Sequence, residues 1–236
     1  MKDSTICIDI KNLNKEYECS DFKLNLFNDL NLCIHENEFL SILGDGGTGK
    51  TTLVNIIAGL EQPSKGSIFL FDRDLLKIDE NEFTKLRFDK IGIVFQTPSL
   101  ISNLTVFENI KLPMILRKRS ESEQISRIEE LLDFFGISKK SAFLPNELSL
   151  GERKKVEIAR ALGLDPPLLI LDEPMANLDS PTRNTFIPFI RGLKYLHDRT
   201  VMITTNNLKV AKIANREIYL ERPKLIPKIR EKNLKG

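Results

Sequence analysis

Residues that bind transition metals or form disulfides are scarce in this chain. Its 236 residues include 3 cysteines and 2 histidines. The cysteines are odd in number and show no CxxC spacing, and the two histidines supply no metal cluster. These residues are Cys7, Cys19, Cys33, His35 and His197. The composition therefore indicates a reducing, cytosolic environment and no zinc site.

An excess of one charge and a long apolar run are also missing. The chain has 35 basic and 33 acidic residues and a net charge of +2, so no overall field attracts nucleic acid or a membrane surface. No apolar run approaches the ~20 residues that cross a bilayer. Residues 2–5 lack the apolar core of a secretory signal. We expect no nucleic-acid partner and no export, and any membrane function requires another chain to do the crossing.

What the sequence does contain is a complete phosphate-binding loop, set between the apolar residues 38–43 and the helix-like residues 53–60. Its glycines allow consecutive backbone N–H groups to surround a phosphate. Lys50 adds a charge for the outer phosphates, and the Thr51 hydroxyl is placed to ligate Mg²⁺. A glycine-rich turn without lysine would be an ordinary connection, but the full loop favours nucleotide binding. The loop comprises Gly44, Asp45, Gly46, Gly47, Thr48, Gly49, Lys50, Thr51 and Thr52.

Two kinds of strand are predicted. Ile6, Ile8 and Ile10 alternate with polar residues, as in a half-buried antiparallel strand. Residues 22–34 repeat this pattern less strictly, and residues 68–71 join them. Short continuous apolar runs instead predict strands buried on both faces of a parallel sheet. These runs are residues 39–43, 92–95, 168–171 and 201–203.

A helical insertion separates the strands of the parallel sheet. Ser120 and Glu123 have the spacing of a capping box, and a helical stripe of apolar residues follows. Pro145 breaks the pattern before a second helix, which carries Val156, Ile158, Ala159 and Leu162. The fold class is therefore α/β, a P-loop core with a mostly parallel sheet, an antiparallel β subdomain and an inserted helical subdomain at about residues 97–163.

The length and the 41% hydrophobic content suit one large domain, which we assign to residues 1–222. Residues 223–236 form a basic tail. For this tail a solvated end is favoured over a lipid or partner contact.

Two acids follow a buried strand, where open parallel sheets bind ligands. Asp172 is suited to hold Mg²⁺ directly or through water. Glu173 is suited to orient and polarise the water that attacks the γ-phosphate. Paired acids at a strand end are sometimes ordinary solvated residues, but the phosphate-binding loop in the same chain favours the catalytic interpretation.

With these motifs the chain resembles the ATP-binding-cassette (ABC) ATPases. Residues 148–152, Leu-Ser-Leu-Gly-Glu, resemble the signature of that family, and residues 176–179 resemble its D-loop. Gln96 follows a strand where the family has its Q-loop. Tyr17 matches the aromatic residue that stacks on adenine, although alone it would be an ordinary surface tyrosine.

Within that family, residues 95–96, 104–110, 112–113 and 145–149 look most like the lipoprotein-release, macrolide-export and peptide-resistance subclass. The resemblance implies a separate membrane permease as partner and a location on the inner face of the cell membrane. The transported substrate stays open.

The resemblance also implies a head-to-tail dimer, formed with a second copy or with another ABC ATPase, that holds two ATP molecules with Mg²⁺. The implied catalytic residues are Glu173, Lys50, Gln96 and Asn206. The implied metal ligands are Thr51, Gln96 and Asp172. Besides Tyr17 and the loop, the implied nucleotide contacts are Ser149, Gly151, Glu152 and Asp179. Ser149 and Glu152 also have the spacing of a simple capping box, and both interpretations can hold.

Asn206 is the first of two departures from the family pattern. The family places a histidine here that contacts the γ-phosphate, and His197 cannot replace it because it precedes the strand. Asparagine donates a hydrogen bond but carries no charge, so we expect ATP binding to survive better than turnover.

The second departure lies in the signature. Leu150 replaces the usual glycine, and Glu152 replaces the usual glutamine. Leucine cannot cheaply adopt a positive φ and adds bulk where the partner's ATP must dock. Glu152 brings a negative charge near the triphosphate, although a helix N-terminus tolerates it. We therefore expect slow hydrolysis with ATP-dependent dimerisation preserved.

The leading interpretation is an ATPase subunit of an ABC transporter or mechanotransmission complex. The alternative is an ATP-binding regulatory or scaffold subunit that hydrolyses little or no ATP, which Glu173 disfavours and Asn206 favours. Leu100, Ile101 and Leu104 are predicted either to form a groove for a permease helix or to be plain core.

Overall fold

Two five-stranded sheets form the framework of the protein. A computed structural model describes residues 5–18, 22–97, 99–193 and 199–227. Cys19, His197 and the last part of the predicted tail, residues 228–236, lie outside these ranges.

The first sheet is antiparallel, as the alternating pattern predicts, and its strand order is β10-β2-β1-β4-β5. β1 pairs with β2 on one side and with β4 on the other. Ile8 and Ile10 of β1 are buried, whereas Ile6 is 36% exposed. The strands are β1 (Ile6–Glu18), β2 (Phe22–His35), β4 (Lys65–Leu70), β5 (Arg73–Asp74) and β10 (Lys224–Pro227).

The second sheet is parallel, and its strand order is β6-β7-β8-β3-β9. All residues of β7 and β8 are buried, because helices or the other sheet cover both faces. Four of its strands are those predicted from the continuous apolar runs. The strands are β3 (Phe39–Leu43), β6 (Ile91–Val94), β7 (Leu168–Asp172), β8 (Thr200–Thr205) and β9 (Arg216–Tyr219).

Seven α-helices surround these sheets in the described part of the chain. The capping box predicted at Ser120 and Glu123 is present, and Ser149 and Glu152 form another. Pro145 opens a short 3₁₀ turn ahead of the signature helix. The helices are α1 (Lys50–Ile57), α2 (Glu80–Lys90), α3 (Val106–Leu116), α4 (Glu121–Phe134), α5 (Leu150–Leu162), α6 (Ser180–Leu193) and α7 (Leu208–Ala211).

The parallel sheet separates two hydrophobic cores. One core lies between this sheet, α1 and the antiparallel sheet. The other lies between the sheet and the helices α3 to α6. Helices α3, α4 and α5 pack on one another within the segment predicted as a helical subdomain.

The structure corrects the prediction for the start of the tail. Residues 224–227 are not a solvated end, because they pair with β2 and add an edge strand to the antiparallel sheet. The helix after the phosphate-binding loop also begins earlier than expected, at Lys50 rather than Leu53, since the loop's last glycine is the N-cap of the helix.

Among the described residues, no helix combines the length and hydrophobicity needed to cross a membrane.

Candidate active site

The site lies at the edge of the parallel sheet where the strands end. β3 leads into the phosphate-binding loop, and β6 is followed by Gln96. β7 ends at Asp172, followed by Glu173, and β8 is followed by Asn206. Because parallel strands share one carboxyl edge, the topology brings these separate predictions together in one place.

The phosphate-binding loop owes its shape to left-handed backbone at two glycines. Gly47 and Gly49 have φ angles of 80° and 96°, which other residues rarely adopt. The Thr48 hydroxyl donates to the Asp45 carbonyl, 3.1 Å away, and closes the turn. α1 then starts at Lys50 with its first N–H groups directed at the loop, an arrangement that binds anions.

Lys50 is the charged centre of the loop and is only 3% exposed. Its ammonium donates to the carbonyl oxygens of Gly44 and Asp45, both 2.7 Å away. It also forms an ion pair of 3.0 Å with Glu173. The phosphate-binding lysine and the predicted catalytic acid are thus in direct contact.

Asp172 is fully buried at the end of β7. Its Oδ1 accepts a 2.5 Å hydrogen bond from the Thr204 hydroxyl, whereas Oδ2 has no hydrogen-bond partner in the described part of the chain. Burial raises the pKa of Asp172 above its ordinary value, although the hydrogen bond from Thr204 and the nearby Thr51 hydroxyl oppose this. An unpartnered carboxylate oxygen near a threonine hydroxyl fits Mg²⁺, which prefers hard oxygen ligands.

Glu173 follows with a φ angle of 42°. Such left-handed backbone at a non-glycine residue costs on the order of 1–3 kcal/mol and is often found at functional sites. The Glu173 N–H donates to both the carbonyl and the hydroxyl oxygen of Thr204, at 3.2 and 3.0 Å. Thr204 was missed by the sequence analysis, although a polar residue at the end of a buried apolar strand is a usable signal.

A polar cavity of about 260 Å³ opens beside Glu173. Gln96, Asn206 and Arg183 line it together with Glu173, so the predicted Q-loop and histidine positions do share one cavity. Arg183 of α6 was not predicted. Its guanidinium donates to the Leu178 carbonyl, 2.8 Å away, and places a second cation near the acids.

Tyr17 lies near the first turns of α1, as its predicted adenine contact requires. Its hydroxyl donates to the Glu61 carboxylate and lies 3.4 Å from the Thr52 hydroxyl. The Lys15 ammonium is 4.9 Å from the centre of the Tyr17 ring. Burial and the hydrogen bond to Glu61 raise the pKa of Tyr17. These contacts fix the ring beside the loop.

The predicted signature forms the start of α5. Ser149 caps the helix: its hydroxyl accepts from the Glu152 N–H and donates to the Glu152 carboxylate. Glu152 also pairs with Lys140 at 3.0 Å. Partial burial acts to raise the pKa of Glu152, but hydrogen bonds from Lys140 and Ser149 outweigh it and the pKa is lowered. The charge of Glu152 is therefore balanced within the subunit.

The structure corrects one argument about Leu150. This residue is the first of α5 and has no positive φ, so leucine suffers no backbone strain here. Its side chain packs against the core on the helical side. The neighbouring Gly151 is the tight position, since a Cβ there would lie 2.8 Å from the Thr182 methyl group. Asp179 is exposed and immediately precedes α6.

A buried ion pair joins α5 to the segment that carries Gln96. Lys154 and Glu157 are each 1% exposed and 2.8 Å apart. The Lys154 ammonium donates to the carbonyl oxygens of Phe95 and Gln96, at 3.0 and 3.2 Å. The Glu157 carboxylate accepts from the Ser99 N–H. The helix that begins with the signature thus holds the Gln96 segment by charged contacts that the sequence analysis missed.

An apolar cleft of about 440 Å³ lies on the far side of the same segment. It is lined mainly by α2, β6, α3 and the end of α5, including Phe88, Ile93, Leu112 and Leu116. The predicted groove residues do not line it: Leu100 packs against the core, and Ile101 is 38% exposed elsewhere. The sequence analysis missed the cleft because its lining residues are far apart in the chain.

The loop, the acids and the sheet topology together define a P-loop nucleoside triphosphatase. The sequence model of the ABC transporter family matches residues 27–176. ABC transporter ATP-binding protein MJ0796 of Methanocaldococcus jannaschii is 37% identical over 218 residues, which cover 91% of this chain and 93% of that protein. The chain belongs to the ABC transporter family and is one of its ATP-binding cassettes, with ATPase activity.

A solved structure and a second sequence relative agree with this assignment. The dimeric structure of a post-hydrolysis state of MJ0796, bound to ADP and Pi, has a TM-score of 0.81 at 36% identity and covers 92% of this chain and 97% of that chain. Methionine import ATP-binding protein MetN 2 of Bacillus cereus is 34% identical over 220 residues. These residues are 93% of this chain but 65% of the length of that relative.

The buried Lys154–Glu157 pair predicts that removing one charge destabilises the protein more than removing both. Glu157→Gln should lower the free energy of unfolding by about 3 kcal/mol, because it leaves the Lys154 ammonium buried without its counter-charge. The double variant Lys154→Met with Glu157→Leu should recover most of this loss. Urea unfolding measures both. Glu130→Gln removes a 65% exposed partner of Arg127 and is the control, with a change below about 1 kcal/mol. A Glu157→Gln protein as stable as the wild type would contradict the prediction.

The raised pKa of Asp172 predicts that replacing this residue by asparagine stabilises the protein in a pH-dependent way. Its folded pKa is raised, so ionising it opposes folding, and the stability present at low pH is lost as the pH rises through the folded pKa. In protein free of metal and nucleotide, Asp172→Asn should raise the free energy of unfolding near neutral pH by ~1–2 kcal/mol. The gain should shrink as the pH is lowered. Denaturant unfolding at several pH values tests this, with the exposed Asp179→Asn as control. A less stable Asp172→Asn protein at neutral pH would count against it.

Proposed function

We propose that this protein is the ATPase subunit of a transporter or mechanotransmission complex, in which ATP-dependent dimerisation drives a separate membrane permease. The observation that carries the proposal is the convergence of the phosphate-binding loop, Lys50, Asp172 and Glu173 at one sheet edge. The start of α5 supplies the second half of a shared site.

Nucleotide binding is assigned to the loop and to Tyr17. The N–H groups of the loop and the start of α1 surround the phosphates, and Lys50 neutralises their outer charge. A phosphate beside Lys50 competes with Glu173 for the ammonium, so binding releases the Glu173 carboxylate for its own role. Tyr17, fixed beside α1, supplies a surface for the adenine ring.

Asp172, Thr51 and Gln96 are assigned to Mg²⁺, which neutralises developing phosphate charge when bound. The unpartnered Oδ2 of Asp172 supports this assignment. Glu173 orients the attacking water and accepts its proton. Asn206 donates a hydrogen bond to the γ-phosphate, but it carries no charge, so turnover is slow.

The second half of each ATP site comes from another subunit, either a second copy or a different ABC ATPase. Ser149, Glu152 and the Gly151 amide at the N-terminus of α5 face the partner's γ-phosphate, where the helix dipole favours an anion. Asp179, directly before α6, is assigned to the same dimer contact. The dimeric structure of MJ0796 bound to ADP and Pi supports an assembly of two subunits. Leu150 packs against the core of its own subunit, so the slow turnover is assigned to Asn206.

The permease is assigned to the apolar cleft beside β6 and α3. Leu116, which lines the cleft, is 65% exposed, and exposed apolar surface of this kind marks interaction sites. A short permease helix seated here contacts Phe95, the neighbour of Gln96 in the chain. The subunit then works at the inner face of the cell membrane. The sequence resemblance favours the lipoprotein-release and macrolide-export subclass.

One observation favours a second candidate, an ATP-binding regulatory subunit with little hydrolysis. Asn206 leaves the cavity beside Glu173 without the family's histidine. Arg183 lines the same cavity and supplies a positive charge there, so we favour slow but real turnover.

The catalytic assignment is tested by measuring ATP hydrolysis and ATP-dependent dimerisation on the same preparations. Asn206→His should raise turnover by about tenfold, because a protonated histidine adds charge to a hydrogen bond that asparagine already donates. Glu173→Gln should abolish turnover and trap an ATP-bound dimer. Asn81→His, at an exposed position of α2, serves as a control with unchanged activity. Wild-type protein that binds ATP without turnover, together with no effect of Glu173→Gln, would establish the regulatory alternative instead.

The permease assignment is tested at the cleft. Leu116→Glu should leave ATP hydrolysis by the isolated subunit unchanged but reduce its recovery with cell membranes by about tenfold, since a charge is costly in an apolar contact. Ile125→Glu, an exposed apolar residue on α4, is the matched control. Equal membrane recovery of the two variants would place the permease elsewhere.

A further inference from the structure

We infer that Thr204 is a positioning residue for ATP hydrolysis, because its one hydroxyl fixes both Asp172 and Glu173. Thr204 lies in β8, is fully buried, and stands opposite Asp172 in the register of β7 and β8. The inference rests on the metal-binding and catalytic roles proposed above for the two acids. It does not depend on the permease.

Because the Thr204 hydroxyl has a single proton, it donates one of its two hydrogen bonds to the acids and accepts the other. A threonine hydroxyl has one proton to donate and accepts through its lone pairs. Here the oxygen accepts from the Glu173 N–H at 3.0 Å, and the proton goes to Oδ1 of Asp172 at 2.5 Å. The same oxygen therefore serves both acids, and any shift of Thr204 moves them together.

The first consequence concerns Asp172. Because Oδ1 is held by Thr204, the carboxylate plane is fixed and Oδ2 is left as the oxygen available for a cation. Groups that hydrogen-bond a metal-ligating carboxylate orient it, and their loss typically lowers metal affinity or activity by about 10–100-fold.

The second consequence concerns Glu173, whose backbone is held in the left-handed region with φ 42°. Within the described residues, its N–H donates to Thr204 only, once to the hydroxyl and once to the carbonyl. This conformation directs the Glu173 side chain towards Lys50, 3.0 Å away. Without the hydroxyl, the carbonyl bond of 3.2 Å would remain, and we expect the turn to loosen.

The chain offers a matched control on the same strand. Thr200 is 2% exposed and accepts a 3.1 Å hydrogen bond from the Asn37 N–H, but it lies at the opposite end of β8. Thr200→Val therefore removes a buried hydroxyl with a backbone partner, as Thr204→Val does. Of these two substitutions, only Thr204→Val removes a hydroxyl that contacts Asp172 and Glu173.

The experiment compares Thr204→Val, Thr204→Ser and Thr200→Val in three measurements. These are Mn²⁺ affinity in the presence of ADP by electron paramagnetic resonance, ADP affinity without metal, and turnover number. Thr204→Val should lower Mn²⁺ affinity and turnover each by about tenfold or more. ADP affinity without metal should stay within about threefold, and hydrogen exchange at the Glu173 amide should accelerate. Thr204→Ser keeps the hydroxyl and should match the wild type in every measurement. Thr200→Val should also match the wild type.

Mn²⁺ affinity and turnover in Thr204→Val that match those in Thr200→Val would overturn the inference. If Thr204→Val fails to fold, Thr204→Ser and Thr204→Ala form a second pair of similar size that differs by the hydroxyl, and equal values for these two would overturn it as well. Glu173→Gln separates this result from the wider proposal. If Glu173→Gln abolishes turnover while Thr204→Val changes nothing, the inference about Thr204 alone is wrong. If Glu173→Gln is fully active, the assigned roles of the acids are wrong.

Discussion

The buried ammonium group of Lys50 is the constraint on which the site depends. A cation that is almost completely removed from water needs acceptors on every side. The structure supplies two loop carbonyls and the Glu173 carboxylate. The carbonyls belong to the turn after β3, whereas Glu173 follows β7, so one side chain joins two strand ends. The left-handed glycines of the loop and the turn at Glu173 are the backbone conformations that allow this contact.

Polar contacts, rather than the hydrophobic cores, connect the parts of the site. Thr204 holds the acids to β8, Lys154 holds the Gln96 segment to α5, and Arg183 holds the turn before α6. The apolar interior fixes which elements are neighbours. The placement of each catalytic atom depends on a few buried donors and acceptors, whose geometry is more specific than apolar packing.

The strands and the principal site residues could be predicted from the sequence because they obey local rules. A strand buried on both faces is a continuous apolar run, and a loop that binds phosphate requires glycines and a lysine at fixed spacing. Thr204 and Lys154 could not be assigned in this way, because their partners are supplied by other elements. The strain expected at Leu150 was wrong because the helix begins at that residue. Residues 224–227 form a strand only because the edge of β2 accepts them, and their charge suggested solvent instead.

The pairing of Lys154 with Glu157 affects how this sequence can change during evolution. Loss of either charge alone leaves the other one buried, whereas loss of both together is tolerable. A lineage that loses the pair must therefore pass through a destabilised intermediate or change both codons at nearly the same time. The two positions should consequently be inherited as a unit, and their identities in related sequences should vary jointly rather than independently.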